Sequence, residues 1–230
     1  MASSLGTAGK QGEDDENMSK MWKRIWKQLY KMSNMQSGFG IDERGEKNHG
    51  KCRNRENFYI SISDGIGWYT RRFIIIKNNS NETVDVSTSS LTYSSDGTMV
   101  GEDDSEFYAL GAGCTSVLYE VFETDSDISY YEGSMKVKKS EYYESVIQDL
   151  SYVQNNVDDG AIFQVTNNGS EPADFVEGYV LFFKNGQLVH YESSYFTDDD
   201  SELKPGETIS KQITSYEEFD SMQFYLTGRR

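Results

Sequence analysis

The densest chemistry in this 230-residue chain lies in two acidic clusters, Glu102-Asp103-Asp104-Ser105-Glu106 and Asp198-Asp199-Asp200-Ser201-Glu202. Carboxylates gathered this closely suit calcium, a hard cation that takes several oxygen ligands. A calcium reading assigns Asp103, Asp104 and Glu106 to one site and Asp199, Asp200 and Glu202 to another. Neither cluster has the spaced EF-hand pattern with its glycine, and consecutive carboxylates on a strand point to opposite faces. The competing reading is a solvated acidic loop. Paired carboxylates can also cleave glycosides, but that needs a cleft holding two of them at fixed separation, and no pair is marked out here.

Nucleophilic catalysis has little to work with. The chain has two cysteines and two histidines. Cys114 sits in Gly-Ala-Gly-Cys-Thr-Ser, but no Gly-Lys-Ser/Thr follows, so the phosphate-loop pattern fails. It is expected to be a small buried residue, and Cys52 a free thiol. Two cysteines are too few for a disulfide framework, and two histidines too few for zinc or a His-based triad. Tyrosine is the remaining resource, with 16 residues. Tyr130, Tyr131, Tyr191 and Tyr195 are candidates for stacking on a glycan or protein partner, since tyrosine offers contact area at low entropic cost. Alternatively, such rings fill half-buried sheet faces.

Charge separates the elements that must position these residues. The whole chain carries a formal -16, from 22 Lys+Arg against 38 Asp+Glu. Residues 1–57 hold 11 basic and 8 acidic residues, leaving 11 and 30 for the rest, so a net +3 precedes a net -19. An acidic body of this kind is a poor match for nucleic-acid phosphates. No apolar run approaches the roughly 18 residues that a membrane helix needs.

Residues 1–17 are polar and charged and are expected to be disordered. Residues 18–35 read as a basic amphipathic helix: Met18, Met21, Trp22, Ile25, Leu29 and Met32 share one face, with lysines and an arginine around it. From Trp22 to Met32 this helix could contact an anionic membrane surface, dock in a partner's groove or cover the acidic body; alternatively, residues 1–57 are foreign to that body. Residues 36–56 read as a flexible linker. No secretory signal is visible, so the sequence reads either as a mature chain or as one with a non-native start.

From residue 57 onward, short runs of Tyr, Phe, Val, Ile and Thr alternate with Asn, Asp, Gly and Ser, the all-β pattern. An internal repeat is legible: residues 72–100 match 161–189 at an offset of 89. Asn78-Asn79 falls on Asn167-Asn168, and Asp96-Gly97 on Asn185-Gly186. The acidic clusters match at an offset of 96. Asp-Gly and Asn-Gly between strand-like runs are strong hairpin signals. The expected architecture is two tandem immunoglobulin-like β-sandwiches, 57–142 and 143–230, with a boundary near Ser140–Ser145; the alternative is a single double-layer β domain of about 170 residues.

The second unit resembles the FxLYD-type extracytoplasmic modules of Gram-positive surface proteins. Val165-Thr166-Asn167-Asn168-Gly169, Tyr179-Val180-Leu181-Phe182-Phe183-Lys184-Asn185-Gly186 and Leu203-Lys204-Pro205-Gly206-Glu207 carry that resemblance, with Phe183 where the motif has Asp. It implies a β-sandwich in a cell-envelope setting, not an activity. The expected function is therefore a non-enzymatic binding module for a protein or glycan on a bacterial surface. No cofactor is expected beyond calcium. The alternative is a structural spacer that displays another element.

Overall fold

The computed structural model describes residues 58–63 as backbone, and residues 68–197 and 201–230 in full. The expected disorder of 1–17, the basic helix and the linker lie outside these residues, as do Cys52, Asp199 and Asp200. The described residues are all-β: twelve strands, one 3₁₀ turn over Ile147–Asp149, and no α-helix.

The first half of the body runs through β1 (Phe58–Ser63), β2 (Tyr69–Lys77), β3 (Val84–Tyr93), β4 (Met99–Leu110), β5 (Thr115–Glu123) and β6 (Tyr130–Lys139). The second runs through β7 (Leu150–Val157), β8 (Gly160–Asn167), β9 (Phe175–Lys184), β10 (Gln187–Tyr195), β11 (Thr208–Thr214) and β12 (Ser221–Arg229). Four three-stranded sheets result, ordered β1-β2-β5, β4-β3-β6, β11-β8-β7 and β10-β9-β12. The two halves therefore use the same strand order, and every pairing is antiparallel.

Alternation along the strands builds two cores. In β2, Ile74 and Ile76 point inward and pack with Val84, Val86, Phe107, Leu110 and Leu118. In the second half, Phe163 and Val165 of β8 meet Val176, Val180 and Phe182 of β9, with Phe196, Leu203 and Ile213. A third cluster joins the halves. Phe73 and Val117, on the outer face of β2 and β5, pack against Leu181 and Phe183 on the outer face of β9. Phe73 and Phe183 are buried to 0% and 5% exposure, so this contact excludes water as the inner cores do.

Asparagine fixes the turn after β2 and the turn after β8 in one way. Asn78 is buried; its Nδ2 donates to the carbonyls of Glu82 (2.7 Å) and Leu110 (2.9 Å), and its Oδ1 accepts from Ser80 N–H. Asn167 donates to Glu171 and Leu203, both at 2.9 Å, and accepts from Gly169 N–H. Their backbones also bond matching turns: Gly113 N–H donates to Asn78 O, and Gly206 N–H to Asn167 O. Gly113 and Gly206 have φ of +74° and +75°, where a side chain would be strained. Gly111-Ala112-Gly113-Cys114 is thus a turn of the same kind as Lys204-Pro205-Gly206-Glu207.

Two sequence readings are corrected by this geometry. Glu102–Glu106 is not a loop but the middle of β4. Leu110 and Leu203, the shared acceptors of the two asparagines, stand 93 residues apart, so the offset-96 match of the acidic clusters does not join equivalent positions. Asp96-Gly97 and Asn185-Gly186 do turn the β3–β4 and β9–β10 hairpins. The chain passes between the halves over residues 140–149.

Candidate functional site

Strand geometry disperses the first acidic cluster. Glu102, Asp104 and Glu106 are exposed on the outer face of β4, while Asp103 and Ser105 turn to the other side. Ser105 Oγ is 2.6 Å from Asp103 Oδ2, which accepts its hydrogen bond, and Glu106 accepts one from the Tyr108 hydroxyl. Among the described residues, no group of three or more His, Cys, Asp or Glu side chains could hold a metal ion. Glu202 follows the undescribed 198–200 segment and is exposed.

The four candidate tyrosines have separate engagements. Tyr130 stacks on Tyr93 across β6 and β3, with centroids 4.8 Å apart. Its neighbour Tyr131 faces the opposite way and lies over the Arg72 guanidinium at 4.4 Å. Tyr191 packs against Phe73 at 4.8 Å and under Arg71 at 5.5 Å, at the contact between the halves. Tyr195, half-exposed, meets Phe175 edge-on at 5.4 Å.

Two constellations were not singled out from the sequence. The first is a charge network inside the first half. Arg72 in β2 pairs in register with Glu120 in β5, Nη2 to Oε2 at 2.6 Å. Ser90 in β3 accepts from Arg72 (2.9 Å) and donates to Glu120 Oε1 (2.7 Å). Exposure of Arg72, Glu120 and Ser90 is 1%, 0% and 2%. Burial raises the Glu120 pKa, and the adjacent guanidinium opposes that rise. The signal was legible: Arg72 shares the inward phase of Ile74 and Ile76, where a charge demands a partner.

The second is an aromatic collar around Arg229. Its guanidinium carbon lies 4.2 Å from the Phe175 ring centre, 4.9 Å from Tyr143 and 5.7 Å from Tyr108. Tyr108 belongs to β4, Tyr143 to the crossing segment, and Phe175 and Arg229 to the second half. The collar therefore links the halves by cation–π contact. Next to it, buried Glu177 accepts from the Tyr179 hydroxyl at 2.7 Å. Burial raises the pKa of both groups.

Cys114 is a free thiol, half-buried rather than fully buried, with its pKa raised by burial. His190 lies within β10, against Phe182 and Tyr216, with Nε2 buried and unbonded.

No family model and no curated protein matches the chain. Among the described residues, no helix is long and apolar enough to cross a membrane.

Proposed function

We propose that this chain is a non-enzymatic cell-envelope module in which two tandem immunoglobulin-like sandwiches are locked together as a rigid spacer. The observation that carries this reading is the apolar contact of Phe73 and Val117 with Leu181 and Phe183. Flexibly linked recognition domains have no need of a shared core, because a buried contact of that kind suppresses their relative motion. The tyrosines support the same reading. Tyr191, Tyr179 and Tyr119 line the contact, and Tyr108 and Tyr143 hold Arg229 beside it.

The repeated strand order supports two copies of one immunoglobulin-like unit, residues 57–142 and 143–230. The extracytoplasmic, Gram-positive setting rests on the FxLYD resemblance of residues 161–213. An acidic body suits a spacer, since net charge keeps it soluble.

The test uses the full chain. A spacer gives one rotational correlation time for amides of both halves by 15N relaxation, and no saturable binding to purified Gram-positive sacculi. Independent tumbling of the halves would defeat the rigid-spacer reading. Saturable sacculus binding lost on Tyr195→Ala would replace it with the binding-module reading.

A further inference from the structure

Sheet edges are where a rigid β body meets other chains, because the outermost strand leaves half of its backbone groups unpaired. In this protein most edges are guarded by charge. Glu102, Asp103, Asp104 and Glu106 occupy β4, and Lys136, Lys138 and Lys139 occupy β6. Edge strands β5, β10, β11 and β12 carry Glu123, Glu192, Lys211 and Arg229.

Strand β7 differs. Its eight residues, LSYVQNNV, carry no charge, and its only sheet neighbour is β8. Residues 151–156 are all exposed, with Tyr152 at 47% and Val153 at 57%. The outward backbone groups can be identified. Asn168 N–H donates to Asp149 O, and bonded pairs alternate along an antiparallel ladder. The register pairs Ser151, Val153 and Asn155 with Thr166, Gln164 and Ile162. Those three therefore bond β8, and the N–H and C=O groups of Tyr152, Gln154 and Asn156 face away from it.

Charge appears only at the two ends of the strip: Asp149 before it, and Asp158-Asp159 after it. Asp149 ends the 3₁₀ turn before the strand and Asp158 opens the turn after it, with eight strand residues, about 26 Å, between them. We propose that the open edge of β7 is a strand-addition site for an extended segment of a partner protein, with a neutral middle and a basic residue at each end. Main-chain bonds to Tyr152, Gln154 and Asn156 would supply affinity, and the terminal acids would set register and exclude acidic strands. The same acids disfavour a second copy of this chain, which would bring its own Asp149 and Asp158-Asp159 to the edge.

The test is a fluorescence-anisotropy titration of the full chain with a peptide of about ten residues, alternating Thr and Val between terminal lysines. A twin with terminal glutamates is the control. Saturable binding of the lysine-ended peptide is expected, with roughly tenfold weaker binding of the twin. Amides of Tyr152, Gln154 and Asn156 should gain protection from hydrogen exchange on binding. Gln154→Pro removes an outward N–H and leaves the bonds to β8, so it should abolish binding while the melting curve stays cooperative. Asp158→Asn with Asp159→Asn, which spares the backbone, should narrow the difference between the two peptides. The proposal fails if neither peptide binds, or if binding survives Gln154→Pro in the folded chain. It fails equally if the free chain forms dimers that protect the same three amides. None of these outcomes depends on whether the halves tumble together.

Discussion

Arg72 and Glu120 face each other across β2 and β5, six residues before Asn78. At the matching place in the second half, six residues before Asn167, Ala161 faces Ile213 across β8 and β11. One chain therefore fills the same interior position once with an ion pair and once with hydrocarbon. Two buried charges lose hydration that their attraction only partly restores, whereas the Ala161–Ile213 pair has no such cost.

Removing one partner should therefore be worse than removing both. Arg72→Ala or Glu120→Ala alone should destabilise by about 3–5 kcal/mol, since each strands a buried charge. The triple variant Arg72→Met, Glu120→Leu, Ser90→Ala should recover most or all of that loss. Urea denaturation of the three variants decides it. A triple variant less stable than either single would show the network to be a net stabiliser.

The two asparagines should be equally hard to replace. Asn78→Ala and Asn167→Ala each leave a buried carbonyl, of Leu110 or Leu203, without its donor, at a cost of about 2–4 kcal/mol. Substitution by Asp should cost at least as much, because a carboxylate cannot donate to either carbonyl. Chemical denaturation would measure both. A substitution at one site that proved neutral would break the equivalence of the two turns.

His190 should make the second half sensitive to mild acid. Burial lowers its pKa below the ordinary 6.5, while Glu192 and Glu217 pull it the other way. The unfolded chain therefore takes up the proton first. The stability that neutral His190 contributes is complete above 6.5 and is lost as pH falls through the folded value. Because Nε2 has no hydrogen bond to lose, His190→Phe should fold. Its stability should fall less steeply than that of the parent between about pH 7 and pH 5. Parallel pH curves for the two proteins would remove His190 from the account.

Calcium should leave the melting temperature unchanged up to about millimolar concentration, with magnesium as control, because a ligand stabilises only what it binds. Asp103 points away from Asp104 and Glu106, and no metal-holding group occurs among the described residues. A saturable, calcium-specific rise would direct attention to the second cluster, around Asp199, Asp200 and Glu202.

A charge in the shared contact should loosen the pair without unfolding it. Leu181→Asp leaves the second core, built around Phe163, Val180 and Phe182, on the other face of β9. The expected result is a retained strand signal in circular dichroism, but separate rotational correlation times for the two halves. Global unfolding of this variant would mean that the halves cannot stand apart.

What was legible in the sequence follows from how local each signal is. Asp96-Gly97, Asn185-Gly186 and Leu203–Glu207 announce turns because positive φ and fixed proline geometry are properties of single residues. Alternation in β2 gave Ile74 and Ile76 as inward residues; in β8 it pointed to Ile162 with Val165, whereas Phe163 and Val165 face the core and Ile162 lies half-buried on the other face. Gly111–Cys114 was harder, since that turn lacks a proline and resembled a fragment of a phosphate loop. The acidic clusters misled in another way. A run of Asp, Ser and Glu matches another by composition alone, with no backbone requirement to hold the register. Contacts between the halves were the least legible: Phe73 and Leu181 read as ordinary strand residues until the sheets that bring them together are known.

The shared contact also settles how such units could multiply. It joins the outer face of β1-β2-β5 to the outer face of β10-β9-β12, two faces that hold different places in the common strand order. A head-to-tail joint of that sort does not close on itself, so a third unit could dock at either end and a filament could grow. The remaining outer faces are different in character. One presents Glu102, Asp104 and Glu106 beside Ser87 and Ser89; the other presents Gln164, Thr166, Ser210 and Gln212. Neither carries a buried apolar cluster like that of Phe73, Val117, Leu181 and Phe183.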